Sequence, residues 1–200
     1  MIANMPLAPQ IYQPLAHRGE IRLLRMKPGT NEEPIEIHLK TAKLDSKTQY
    51  TALSYVWGDS SPPFLVKCDG HNFPVTHNLW EILSRFHQDR FEGLLWIDAI
   101  CINQQDNKEK GVQVSMMREI YKQASKVIFW LGKQERYDEF AVDLMTLFKK
   151  RHEPFSELQP WRDKPLHELG LPSEHPGWLG WASLLCRPWF SRVWIVQEFL

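Results

Sequence analysis

The chain has no excess of either charge: 24 Lys and Arg stand against 24 Asp and Glu in 200 residues. With no net field to draw it to a polyanion, composition argues against nucleic acid or an anionic membrane surface as a partner. It has no apolar run of the ~18 residues that a membrane-spanning helix needs. Its start, MIANMPLAPQIYQPL, lacks both a basic segment and an uninterrupted apolar core, which argues against a secretory signal. Cysteine is scarce. Cys68, Cys101 and Cys186 are too scattered for a disulfide framework and suit a reducing, cytoplasmic setting.

Several chemical signatures are missing too. There is no G-x-x-x-x-G-K-[ST] and no G-x-G-x-x-G, which excludes the P-loop and the dinucleotide-binding fingerprint. No serine sits in a G-x-S-x-G elbow. Cys68 and His71 have C-x2-H spacing but no second pair follows, so the expectation is a hairpin surface pair and no metal. Cys101 lies inside an apolar run, as a small buried hydrophobe or as a thiol nucleophile served by a distant histidine. No internal repeat and no low-complexity tract is present.

What is plentiful is aromatic: 12% of the residues, with nine Trp, which need a core, a pocket or a partner surface. The length suits one domain with a substantial core. Residues 1–18 contain three Pro and read as an extended, poorly ordered arm. Residues 19–49 read as a β-hairpin lead-in, with strands at 21–26 and 35–39 flanking Pro28-Gly29. From residue 50 the pattern changes. Residues 50–56 (YTALSYV), 94–100 (LLWIDAI) and 126–131 (KVIFWL) read as buried strands. A small hairpin, 64–68 and 73–75, turns on Asp69-Gly70.

Helices are expected between these strands. Thr76 caps one that runs to about residue 88, with Leu79, Ile82, Leu83 and Phe86 on its apolar face. Asp106 caps the next, which turns Met116, Met117, Ile120, Tyr121 and Ala124 inward. An amphipathic helix covers 137–150, a Pro- and charge-rich insertion loop 151–176, and two closing helices 177–186 and 191–200. Strands alternating with helices predict an α/β fold: a parallel sheet flanked by helices, with the antiparallel hairpin in front. Ligands of such sheets bind beyond the carboxyl ends of the strands. Here those ends are residues 54–59, 98–104 and 130–132.

Two carboxylates stand out. Asp98 interrupts an apolar run and needs a partner, either as the cap of a neighbouring loop or helix or as one wall of a ligand cleft. Asn103, Gln104 and Gln105 beside it are turn residues or amide ligands to a ribose or base. Glu198 closes the apolar block RPWFSRVWIVQEFL, four residues after Trp194. On a helix the two share a face. Glu198 is then either a solvated rim residue or a carboxylate held beside an indole, where burial raises its pKa.

Three blocks together, YTALSYVWG (50–58), LWIDAICINQ (95–104) and RPWFSRVWIVQE (187–198), resemble the fungal heterokaryon incompatibility (HET) domain over residues 50–200. HET domains look in turn like distant relatives of TIR domains, which fold as a flavodoxin-like parallel sheet. By that resemblance Ser54, Tyr55 and Asp59 fall on the first TIR strand and its exit, and Asp98 falls on the second. Trp194 and Glu198 take the spacing of the TIR W-x-x-x-E element. The resemblance implies Glu198 as the catalytic carboxylate that cleaves NAD to nicotinamide and an ADP-ribose product. Ser54, Tyr55, Trp57, Asp59, Asp98 and Trp194 are implied around the bound NAD, with Trp57 stacking on a flat ring. NAD is then a substrate and no resident cofactor is expected. The TIR pattern is not met everywhere: Ser191 is three residues from Trp194 instead of two, and Ile195 stands where TIR domains carry Cys.

The expected function is therefore fungal non-self recognition leading to programmed cell death, with an upstream incompatibility sensor as partner. Two rivals remain: a non-enzymatic adaptor that signals by self-association, and an incomplete fragment, since a flavodoxin-like sheet calls for two further strands after residue 200.

Overall fold

The computed structural model describes residues 11–29, 33–45, 47–59, 61, 63–151 and 173–192. They fall into two compact units, one of residues up to Trp130 together with Arg192, the other Leu131–Ser191.

The first unit is built on one seven-stranded sheet. Its strands are β1 (Glu20–Met26), β2 (Glu36–Lys43), β3 (Thr51–Tyr55), β4 (Phe64–Cys68), β5 (His71–Val75), β6 (Leu94–Trp96) and β7 (Lys126–Trp130), in the order β5-β4-β2-β1-β6-β3-β7. The sheet is mixed. β3 runs parallel to β6 and β7, and β2 parallel to β4. β1 runs antiparallel to both β2 and β6, and β4 antiparallel to β5. The hairpin expected in front of the sheet is thus part of it, and β1 is its middle strand. The reason lies in EIRLLRM: Ile21 and Leu23 face one layer, Leu24 and Met26 the other, and all four are buried. A strand that is apolar on both faces belongs in the interior of a sheet.

The two faces carry separate cores. Leu24, Ile37, Leu53 and Leu95 pack with Leu79, Ile82, Leu83 and Phe86 of helix α1 (His77–Gln88). Ile21, Leu23, Ala52 and Trp96 pack with Met117, Ile120 and Tyr121 of helix α4 (Met117–Gln123). Neighbouring strand residues enter opposite cores, as the two-residue repeat of a strand requires. The helix starts follow the capping residues: Thr76 Oγ1 accepts the Leu79 N–H at 3.2 Å, and Asp106 accepts from Lys108 and Glu109 at the start of α3 (Asn107–Ser115). The β4–β5 turn puts Asp69 and Gly70 at φ of 48° and 82°, the left-handed pair of a two-residue hairpin.

Three elements differ from the sequence expectation. β7, expected to be buried, is the edge strand, with Lys126 and Phe129 exposed. The run LLWIDAI is strand only to Trp96 and then turns into a single helical turn, α2 (Asp98–Cys101). Asp98 Oδ1 accepts the Ala99 N–H at 2.8 Å, and the Cys101 sulfur accepts the Ile97 N–H at 3.3 Å, which rewards the turn locally. An unbroken apolar run carries no period by which to place that break. The helix expected from Asp106 onward is likewise two, α3 and α4, divided at Met116.

One buried ion pair holds the sheet to the loop after α2. Arg22, 2% exposed, meets both oxygens of Glu109 at 2.6 and 2.8 Å and donates to the carbonyls of Cys101 and Gln13. Glu109 also accepts the Asn103 N–H at 2.8 Å. Tyr12 lies over the Arg22 guanidinium and donates to Ile100 O, while Ile11 is buried in the α1-side core.

The second unit pairs α5 (Asp138–Arg151) with α6 (Gly177–Leu185), followed by a 3-10 turn (Pro188–Ser191). Gly177 and Gly180 face α5 so closely that a Cβ on either would collide with the carbonyls of Phe140 and Tyr137. Leu144, Phe148, Trp178 and Trp181 fill the seam. Among the described residues no helix is long and apolar enough to cross a membrane.

Candidate functional site

β3 and β6 are parallel neighbours, so their carboxyl ends open side by side. The chain leaves β3 through Val56, Trp57 and Gly58 and leaves β6 through Ile97 into α2. Between these exits lies a cleft of about 450 Å³. Val56, Trp57 and Gly58 form one wall, and Asp98 and Gln104 face it. Ile102, Val114 and Met117 supply its apolar surface, and Arg192 completes the lining.

The polar groups of the cleft are tied to one another. Trp57, 37% exposed, donates its indole N–H to Asp98 Oδ2 at 3.0 Å. The other Asp98 oxygen holds the Ala99 N–H, and the Gln104 amide donates to the Asp98 backbone carbonyl at 3.0 Å. Asp98 therefore braces the first turn of α2 and lines the cleft. The indole is held by its N–H edge against the carboxylate.

The other expected site residues are distributed unevenly. Ser54 is fully buried at the end of β3 and accepts a hydrogen bond from Arg192 Nη1 at 3.2 Å. Tyr55 is buried, and its hydroxyl has no hydrogen-bond partner among the described residues. Burial first, and the Asp98 carboxylate second, push the Tyr55 hydroxyl well above the ordinary tyrosine range, so it stays protonated. Asp59 is exposed and accepts the Ser61 N–H at 3.1 Å, shaping the loop instead of lining the cleft. Trp194 and Glu198 lie outside the described residues. Sequence reading did not single out Arg192, nor Asn78, whose amide donates to Val56 O at 3.0 Å.

A hollow of about 530 Å³ lies between residues 14–18 and α3. The cleft between β3 and β6, at the carboxyl ends of two parallel strands, is the candidate site.

Residues 50–198 match the family model of the heterokaryon incompatibility protein (HET). The chain belongs to the HET family. Heterokaryon incompatibility protein 6, OR allele, of Neurospora crassa is similar to it, 31% identical over 217 residues that cover 90% of this chain and 31% of that protein. The chain thus spans about a third of the length of that relative. No solved structure matches. The cleft residues all fall within the HET match. Much of the remaining HET signature is scaffold. The Tyr50 hydroxyl donates to Ile120 O and the Tyr121 hydroxyl to Leu53 O, which bind α4 to the β3 segment. Arg187 closes the second unit by donating to Asp138 Oδ2 at 2.7 Å.

In this HET domain Cys101 is packed into the core that holds Trp96 and Met117. It is fully buried, and burial pushes its thiol up to about 12, as it does that of Cys68. Near pH 8 almost none of either is thiolate, the reactive form. Cys186 is exposed. A thiol-reactive probe at pH 8 is expected to label the folded chain rapidly at Cys186 alone, with Cys68 and Cys101 reacting after denaturation. Peptide mapping of the labelled protein checks this.

Proposed function

We propose that this HET domain acts in fungal heterokaryon incompatibility, as an effector that triggers cell death by cleaving the nicotinamide–ribose bond of NAD. The observation that carries the reading is the Trp57–Asp98 pair at the adjoining carboxyl ends of two parallel strands. It lies in a cleft whose lining includes Arg192, from the block that ends in Glu198. The strand order supports it: β6, β3 and β7 are the second, first and third parallel strands of the HET segment, the 2-1-3 order with which flavodoxin-like sheets begin.

In the proposed reaction the bond between ribose C1′ and the pyridinium nitrogen breaks, and its electron pair leaves with neutral nicotinamide. The ribose passes through an oxocarbenium-like state, as in glycoside hydrolysis. Glu198 stabilises the developing positive charge. Water adds hydroxide to C1′ and releases a proton, leaving ADP-ribose. Asp98 receives ribose hydroxyls, Trp57 stacks on a flat ring, Ser54 and Tyr55 support the pocket from behind, and Trp194 contributes to NAD binding. The domain works in the cytoplasm, downstream of an incompatibility sensor.

A second reading, an adaptor that acts by self-association, draws on a different observation. Helix α6, GWLGWASLL, has no charged residue, and Leu179 and Leu185 are 60% and 57% exposed. One experiment decides between the two. The full-length protein, expressed in its fungal host and purified, is incubated with NAD and the products are resolved by chromatography. Nicotinamide release supports the first reading. No release, with toxicity that survives Glu198→Gln and is lost in Leu179→Glu/Leu185→Glu, sinks it in favour of the adaptor.

A further inference from the structure

We propose that Asn78 is a positioning residue that sets the Trp57 wall of the cleft; the inference rests on that cleft being the functional site. β3 ends at Tyr55, paired with Trp130 of β7, so the Val56 carbonyl is the first one past the ladder. A main-chain carbonyl at that depth needs a partner. Asn78 Nδ2 supplies it, donating at 3.0 Å from the first turn of α1. The same side chain occupies the space beside Gly58. That residue sits at φ +70°, and a Cβ there would come within 2.7 Å of Asn78 Nδ2 and 2.9 Å of its Cγ.

Trp57 is therefore fixed on both sides along the chain. Before it, Val56 is held by the Asn78 amide. After it, Gly58 packs against that amide in a conformation that side-chain-bearing residues rarely adopt. With the main chain pinned, the indole reaches Asp98 Oδ2 at 3.0 Å. Asn78 is not the cap of α1. The N-cap is Thr76, whose hydroxyl takes the Leu79 N–H. Asparagine is a poor helix former, and here its amide serves the backbone of another segment.

The test needs no ligand. The 200-residue chain is labelled with 5-fluorotryptophan, and the Trp57 resonance is assigned by its loss in Trp57→Phe. Asn78→Asp keeps the size of the side chain and places a negative charge in the first helical turn, which favours the helix. It also turns an acceptor toward the Val56 carbonyl in place of the donor. Asn78→Asp and Asn78→Ala are expected to move and broaden the Trp57 resonance while that of Trp181, in the α5–α6 seam, stays in place. A Trp57 resonance unchanged in both variants, each still giving a cooperative melt, overturns the proposal. In the full-length protein, Asn78→Asp is expected to raise KM for NAD several-fold with kcat nearly unchanged. A protein that does not turn over NAD overturns the NAD reading, and the fluorine spectra still decide the role of Asn78.

Discussion

Arg22→Ala is expected to lower the stability of the folded chain by about 3–5 kcal/mol, read as a large fall in the urea midpoint. The guanidinium is 2% exposed and Glu109 11%, so removing one partner leaves a carboxylate in a poorly solvated place. More is lost than the ion pair. The carbonyls of Cys101 and Gln13 lose their donor, and each unsatisfied buried group carries its own penalty, about 1–3 kcal/mol. Arg22→Met with Glu109→Leu tests the apportioning. It removes both charges and fills similar volume, which relieves the stranded carboxylate but leaves those carbonyls and the Asn103 N–H unpaired. The double variant should therefore recover part of the loss and not all of it. The exposed Lys27–Glu36 pair serves as the control, because solvent screens it and its removal should leave the midpoint nearly unchanged. An Arg22→Ala midpoint as little affected as the control would overturn the account.

That network also marks the limit of what the sequence discloses. Arg22 sits inside EIRLLRM and Glu109 inside NKEKGVQVS, 87 residues apart, and no local pattern joins them. What the sequence does disclose is local. Thr76 and Asp106 each precede an apolar periodic segment and each caps a helix. Asp69-Gly70 turns its hairpin, and the apolar run at β3 pairs in parallel with those at β6 and β7. The sheet's mixed character was hidden because strand direction is a property of pairing, and β1 carries no mark of lying between β2 and β6. Within the site, Trp57 and Asp98 were legible as polar or aromatic interruptions at strand ends. Asn78 was not, because an asparagine two residues after a capping threonine looks like part of the helix start. Its amide is placed by contacts outside the helix, to Val56 O and beside the left-handed Gly58.

Under the proposed NAD cleavage, Glu198→Gln is expected to lower kcat about a hundred- to a thousandfold, the order lost when one electrostatic contact to the charge of a transition state is removed. The amide keeps the size of the side chain and can still accept a hydrogen bond from a ribose hydroxyl. It cannot offer a negative charge to the oxocarbenium-like sugar, so binding should suffer far less than turnover. Asp98→Asn is the informative contrast. Asp98 spends one oxygen on the Ala99 N–H and the other on the Trp57 indole. An amide has a single acceptor oxygen, so one of these bonds is lost and an N–H is turned toward an N–H. The expected result is a displaced Trp57 wall, seen as KM for NAD raised about tenfold, the order of one hydrogen bond to a charged group, with a smaller fall in kcat than Glu198→Gln produces. Steady-state kinetics on the full-length protein separates the two. If Asp98→Asn abolishes turnover while Glu198→Gln changes KM alone, the roles are reversed. The charge that meets the sugar is then the one already fixed between Trp57 and α2, and Glu198 becomes part of the wall.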